Sequence, residues 1–378
     1  MIGIVSTITK GTIYILNILV YDIAADSGGA LSILSDFYIY VCGYEDKSVH
    51  WHFILSTPQF LSTANVHIHR YPQIKQGWHK RLQFDYAIAS KIVEKYEIDK
   101  ILSLQNIPIP FTDVPQIVYL HQSLQFYDGR ISFWNKNQRR YWIYKNIVGK
   151  KIMHCIGSSS LVIVQSEWMR DMCIENQLVS EDKIKVISPG VPRGFYPMFD
   201  GKRSSFRTFF YPASGAFYKN HKVILSASKL LIDSGIKTFR LVFTLSKSDS
   251  EGASIYREAK RLQLPVCFVG QIDRDDVMAN FGSCVLLFPS LIETYGLPLT
   301  EAAKCNTPVI ASDLPFAREA LSGYSNVVFF NSCDEVQLAD IMFRTIHREI
   351  PYHSELTVSG VTENSDSVGQ LVREVMVL

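Results

Sequence analysis

Residues 288–313 read FPSLIETYGLPLTEAAKCNTPVIASD, and the fold of the whole chain turns on them. An apolar, β-rich run over 284–288 leads into Pro289-Ser290, after which Glu293 stands in a loop. Gly296 lets the backbone approach another group closely, and Pro298 suits a first helical turn, where its missing N–H is not needed. Glu301 then falls inside a helix over 299–304, and a second apolar strand over 308–311 closes the unit. Strand, crossover helix and strand in that order build a parallel sheet. Seven residues separate Glu293 from Glu301, so one carboxylate lies in the loop and the other a turn into the helix. Both can face a ligand laid over the helix N-terminus. The unpaired N–H groups around Tyr295, Gly296 and Leu297 carry positive partial charge that suits a phosphate, and carboxylates accept hydrogen bonds from sugar hydroxyls. A site that reads phosphate and polyol together fits a nucleotide-sugar.

The same alternation runs through the rest of the chain. Strands are expected over 13–23, 49–55, 64–69, 101–104, 116–120, 161–165 and 184–187, with helices over 30–41, 80–96, 139–156 and 169–176. The stretch 188–205 carries Pro189, Gly190, Pro192, Gly194, Pro197 and Gly201 without periodicity, which marks a break. Beyond it the pattern restarts. Strands are expected over 208–211, 240–244, 266–269, 284–288, 308–311 and 327–330, and helices over 221–234, 251–262, 275–281 and 299–304. The expectation is an α/β chain of two doubly wound domains, residues 1–190 and 207–350, joined by a linker over 191–206. A tail over 351–378 ends in a short helix and is expected to pack back on the first domain. In such pairs the ligand sits in the cleft, facing the carboxyl ends of the strands.

Composition narrows the class further. The 378 residues are 47% apolar and 20% charged, which excludes a disordered chain. With 38 basic and 36 acidic residues the net charge is +2, which argues against nucleic acid as the main partner. The seven cysteines are scattered and form no Cys-x-x-Cys pair, so reduced thiols in the cytoplasm are expected rather than a zinc site or a disulfide framework. No uninterrupted apolar run reaches the roughly 18–20 residues of a membrane span. Lys10 precedes an apolar stretch over 13–20, but no small-x-small cleavage site follows, so the segment reads as a core strand rather than a leader.

On a specific set of residues the sequence resembles the retaining family 4 glycosyltransferases (glycosyl transferases group 1), of GT-B fold. The set is Glu293, Tyr295-Gly296-Leu297-Pro298, Glu301-Ala302 and Pro308-Val309-Ile310. The resemblance implies that Glu293 contacts hydroxyls of the donor sugar and Glu301 the ribose, while the amides of Tyr295, Gly296 and Leu297 hold sugar and diphosphate. Residues 210–227 resemble the family's first donor-domain strand and its loop, which makes Lys219 the cation on the diphosphate. A cation there offsets charge growing on the leaving phosphate. Many relatives place an arginine earlier in this loop, where Ala213-Ser214-Gly215 stands here, with Lys222 or Arg193 as candidate substitutes. Gly28-Gly29 resembles the family's glycine loop, His121 its histidine near the transferred sugar, and Ser188-Pro189-Gly190-Val191 its interdomain turn.

The resemblance implies His121, Lys219 and Glu293 as the catalytic set. It implies a sugar moved from a nucleotide-diphosphate sugar co-substrate, with retention, without a metal and without another cofactor. The implied acceptor is a glycan or lipid-linked oligosaccharide of bacterial surface polysaccharide assembly (O-antigen or capsule). Two alternatives stand beside this: a GT-B-like sugar-nucleotide epimerase, and a catalytically silent sugar-nucleotide-binding subunit of a glycan assembly complex.

Other features carry less. Asp273-Arg274-Asp275 has the form of an Asp-x-Asp metal site, but aspartates at a helix start commonly cap it. His154 beside Cys155 lacks the third group of a thiol nucleophile. Cations and aromatics mix over 139–145, with Lys150-Lys151, Trp78-His79-Lys80-Arg81 and Trp134. That mixture suits anionic lipid, so the expected place is the cytoplasm with a peripheral seat on the inner face of the cell membrane. The plainer alternative is a helix with its aromatics packed inward and its charges solvated.

Overall fold

The structure, a computed structural model, describes residues 15–26, 28–190, 194–248, 250–355 and 366–378. Two parallel sheets organise it. The first joins β1 (Leu16–Asp22), β2 (Val49–Leu55), β3 (Val66–Arg70), β4 (Lys100–Ser103), β5 (Gln116–Leu120), β6 (Leu161–Val164) and β7 (Ile184–Val186) in the order β3-β2-β1-β4-β5-β6-β7. The second joins β8 (Thr208–Tyr211), β9 (Arg240–Phe243), β10 (Val266–Phe268), β11 (Val285–Phe288), β12 (Val309–Ser312) and β13 (Val327–Phe330) in the order β10-β9-β8-β11-β12-β13. The central strands are unbroken apolar runs such as Leu161-Val162-Ile163-Val164, because helices cover both faces and leave no side for polar alternation.

In each sheet the order reverses beside the first strand. β1 lies between β2 and β4, and β8 between β9 and β11, so neighbouring loops diverge there and open a crevice at the carboxyl ends. The segments that leave these ends carry Gly28-Gly29 after β1, Lys219 after β8 and Glu293 after β11.

Thirteen helices are described: α1 (Gly28–Cys42), α2 (Trp78–Ala87), α3 (Ala89–Lys95), α4 (Arg139–Ile143), α5 (Lys150–Cys155), α6 (Glu167–Glu175), α7 (His221–Asp233), α8 (Ser250–Arg261), α9 (Arg274–Phe281), α10 (Leu297–Lys304), α11 (Pro315–Ala320), α12 (Glu335–His347) and α13 (Ser367–Val377). The single helix expected over 80–96 is two. Ile88, at φ −116°, interrupts the helix between α2 and α3, and Phe84 on one and Ala89, Ile92 and Val93 on the other all reach the same core. The helix expected over 139–156 runs from α4 to α5 through a π-helical stretch, Tyr144–Gly149. Such wide turns are rare and concentrate at functional sites.

Helices α11 and α12 have no counterpart among the expected elements, although α12 carries a readable start signal. The Asp334 side chain accepts from Gln337 N–H at 2.8 Å, an N-cap of the Asp-x-x-Gln kind. The tail ends on the first domain. Leu371, Val372 and Val375 of α13 are buried with Leu34 and Phe37 of α1, and Lys185 pairs with Glu374 at 2.6 Å. Within 191–206, residues 191–193 lie outside the described residues; the rest follows the second domain, with Phe199 N–H on the Cys305 carbonyl and Asp200 N–H on that of Gly282.

Candidate active site

Between the two carboxyl-end surfaces lies a cavity of about 690 Å³, within the range of small-molecule sites. Helix α10 points its N-terminus at this cavity. Its cap, Gly296, sits at φ +87°, a left-handed conformation that a side chain would strain, and a Cβ there would also stand 3.1 Å from Leu299 Cδ1. No side chain caps the helix and Pro298 lacks an N–H, so the first-turn amides beside Tyr295, Gly296 and Leu297 are left for a ligand. All three residues line the cavity.

Lys219 and Glu293 meet across the switch point of the second sheet, Nζ to Oε1 at 2.5 Å, both largely buried and both on the cavity wall. Each loop is braced from behind. Tyr211 O–H donates to the Lys219 carbonyl at 2.8 Å and lies 2.7 Å from Ser290 Oγ. Leu291 N–H donates to the Tyr218 carbonyl at 2.7 Å, tying the lysine loop to the glutamate loop. Asn220 adopts a left-handed φ of 55° and spans the gap with its amide, donating to the carbonyls of Pro289 and Ser332.

Glu301 lines the same cavity a turn into α10, with Arg274 N–H on Oε1 at 2.7 Å. Burial raises the Glu301 carboxyl, and the guanidinium pulls it partly back. Arg274 also reaches Tyr196 O–H at 3.3 Å. It is a site neighbour that the sequence reading passed over, because it stands inside the Asp273-Arg274-Asp275 triplet. Asp273 itself caps α9, accepting from Asp276 N–H at 2.9 Å, and no group of three or more potential metal ligands occurs among the described residues.

From the first domain come Gly29 and His121. Gly28 opens α1, and a Cβ on Gly29 would meet nothing within 4 Å. Neither a positive φ nor protein packing demands glycine at position 29, so what its missing side chain provides is open space above the backbone. His121 N–H donates to Asn106 Oδ1 at 2.8 Å. Burial pushes its imidazole down to about 4 against a hydrogen bond to the Leu104 backbone, so the ring is neutral at pH 7. Its Nε2 is buried without a partner among the described residues.

The loop that lacks the family arginine explains itself by packing. Ala213 is buried in the second core, and a Cβ on Gly215 would stand 2.6 Å from Glu251 Cβ, so a long side chain has no room at Gly215. Lys222 is exposed and faces Glu258 rather than the cavity, and Arg193 lies outside the described residues. The cation that does approach is Arg140 of the first domain, 2.5 Å from Glu251 Oε1, where Tyr141 O–H also donates at 2.8 Å. Pro189 and Gly190 line the cavity, while Val191 lies outside the described residues. His154 and Cys155 sit on α5, away from the cavity lining.

The second domain matches the family model described as Glycosyl transferases group 1 over residues 198–355, and the first matches Glycosyltransferase Family 4 over residues 44–194. The O-antigen chain mannosyltransferase RfbU of Salmonella typhimurium is 24% identical over 257 residues, 67% of this chain. That match spans 66% of the relative's own length. Sucrose-phosphate synthase from Thermosynechococcus elongatus superposes with a TM-score of 0.68 at 17% identity, covering 96% of this chain and 99% of that one. Anabaena HepE in complex with UDP-glucose superposes with a TM-score of 0.61 at 17% identity, over 96% and 99%. The fold is therefore GT-B: two Rossmann-like domains facing across a cleft.

Proposed function

The chain belongs to the family 4 glycosyltransferases of GT-B fold, and from that premise we propose that it moves a sugar from a nucleotide-diphosphate sugar to a glycan or lipid-linked acceptor, with retention and without a metal. The observation that carries this reading is the Lys219–Glu293 pair, set at the switch point beside an uncapped helix N-terminus and facing the open space over Gly29. The amides at Tyr295–Leu297 take the diphosphate, Glu293 the sugar hydroxyls, and Glu301, held in place by Arg274, the ribose. The neutral His121 accepts a sugar hydroxyl at Nε2. The acceptor oxygen bonds to the anomeric carbon on the face where the bond to the β-phosphate breaks. Its proton passes to the departing phosphate, whose growing charge Lys219 offsets. The first domain closes over the donor and excludes water, which would otherwise hydrolyse it. The similarity to RfbU, an O-antigen chain mannosyltransferase, supports O-antigen or related surface polysaccharide as the acceptor class.

The test is a thermal-shift screen of nucleotide-sugars followed by a turnover assay. A donor at 100 times its Kd stabilises the folded state by about 2.7 kcal/mol, which moves the melting point measurably. Release of nucleoside diphosphate that depends on a lipid-linked or sugar acceptor is expected. Binding without release across a broad acceptor set points instead to the silent-subunit reading, whose support is Ala213-Ser214-Gly215 where relatives place the arginine.

A membrane seat belongs to the same proposal. Trp78, Leu82 and Tyr86 lie four residues apart on α2 and are all exposed. Phe111, also exposed, lies tilted against Tyr86 with ring centroids 6.0 Å apart, and Lys151 Nζ lies 4.7 Å over the Tyr86 ring. By contrast Tyr141 packs inward on Phe217 and Tyr218, which supports a lipid-facing stripe on α2, from the Trp78–Arg81 part of the expected mixture, rather than on 139–145. Trp134 is 84% exposed and adds a second anchor. Cosedimentation with vesicles rich in anionic lipid is expected. Trp78→Ala with Tyr86→Ala removes most of it, and equal cosedimentation of this variant excludes the stripe.

A further inference from the structure

The loop that carries Glu293 is not held by its own domain alone. Ile292, the residue before the glutamate, is 6% exposed and packs among Leu124, Phe126 and Ile156 of the first domain. Two residues on, the Thr294 carbonyl accepts two hydrogen bonds from the first domain: Ser166 Oγ–H at 2.6 Å and the Trp168 indole N–H at 3.0 Å. The same corner is tied a second time, in the opposite sense. Both carboxylate oxygens of Glu319, on α11 of the second domain, accept the first backbone amides of α6, Glu167 N–H at 2.8 Å and Trp168 N–H at 2.9 Å. A carboxylate over a helix N-terminus is favoured by the unpaired amides and by the helix dipole. The start of α6 is therefore clasped by Glu319 and itself clasps Thr294.

The consequence lies in the geometry of one peptide unit. The Thr294 carbonyl and the Tyr295 N–H belong to the same planar trans group and point in opposite directions. Fixing the carbonyl on Ser166 and Trp168 turns the Tyr295 N–H away from α6. We infer that Ser166, Trp168 and Glu319 form an interdomain latch that sets the Tyr295 amide for the donor, so that the donor site is complete only while the first domain is in contact. Ser166, Trp168 and Glu319 are positioning residues. They act through the Thr294 peptide. The role of the Tyr295 amide rests on the donor reading above; the latch itself rests on the hydrogen bonds alone.

The experiment separates the two. Trp168→Phe keeps the ring and removes the N–H, and Ser166→Ala removes the hydroxyl. Backbone hydrogen exchange is read over 291–297 in the ligand-free protein, at the Leu291 N–H that the Tyr218 carbonyl protects. Losing both donors should speed exchange there about tenfold, as expected for hydrogen bonds of ordinary strength, with β8 and β11 unchanged. Glu319→Ala should reproduce the effect, and Glu319→Gln, which keeps an acceptor oxygen, should recover part of it. Calorimetry with UDP and with GDP should show nucleotide affinity falling about tenfold for the double variant. Unchanged exchange over 291–297 in Trp168→Phe and in Glu319→Ala overturns the latch, whether or not the Ser166 variant folds. If the wild type binds neither nucleotide nor any donor of the screen, the donor reading fails while the exchange arm still decides the latch.

Discussion

Glu293→Gln is expected to lower sugar transfer by about a thousandfold while leaving the protein folded and still able to bind the nucleotide portion of the donor. The carboxylate has two tasks in this geometry. It offers acceptor oxygens to sugar hydroxyls, and it holds the Lys219 ammonium 2.5 Å away at the place where the diphosphate departs. The amide of glutamine matches the shape but replaces one acceptor with a donor and gives up the negative charge. Lys219 is then largely buried without its partner. The loop keeps its other ties, through Ile292, Leu291 N–H and the Thr294 carbonyl, so its backbone path survives. The loss should therefore fall on kcat more than on the donor KM, with melting temperature and circular dichroism close to wild type. Activity within tenfold of wild type removes Glu293 from the site.

That loop was legible because its signals are local. Gly296, Pro298 and two flanking apolar strands state a strand, a tight turn and a helix start within a few residues, and the structure has α10 beginning at Leu297. Strands expected over 49–55, 116–120, 208–211 and 327–330 coincide with β2, β5, β8 and β13, since runs bounded by turn residues mark their own ends. The tail over 367–377 was readable as a helix from Val368, Leu371, Val372 and Val375, but nothing in its spacing names α1 as the partner. What stayed hidden depends on distant contacts. Ser166 and Trp168 are more than 120 positions from the carbonyl they hold, and no periodicity links them to it. Arg274 was concealed by its neighbours, because two aspartates around it suggested a metal site or a cap. The interruption at Ile88 follows from where two helix faces must press, which is a property of the packed core.

Lys219→Met should cost a similar factor for a different reason, and the difference is measurable. In the ground state the diphosphate carries its charge beside helix amides as well as beside the lysine. As the bond to the anomeric carbon breaks, new negative charge builds on the β-phosphate oxygen, and a fixed ammonium there is worth more in the transition state than before it. Its removal should lower kcat about a thousandfold and weaken donor binding by far less. Met has nearly the length of lysine, so the loop should hold its shape although the cation–π contact of Nζ with the Tyr218 ring, at 5.5 Å, is lost. Glu293 is then left largely buried without its cation. Because the two side chains form one ion pair, the double variant Glu293→Gln with Lys219→Met should lose much less than the product of the single losses. Lys219→Arg restores the charge in a wider fork and should recover part of the rate. Full additivity of the two single losses, or a Lys219→Met enzyme with unchanged kcat, places the leaving group somewhere other than between these residues.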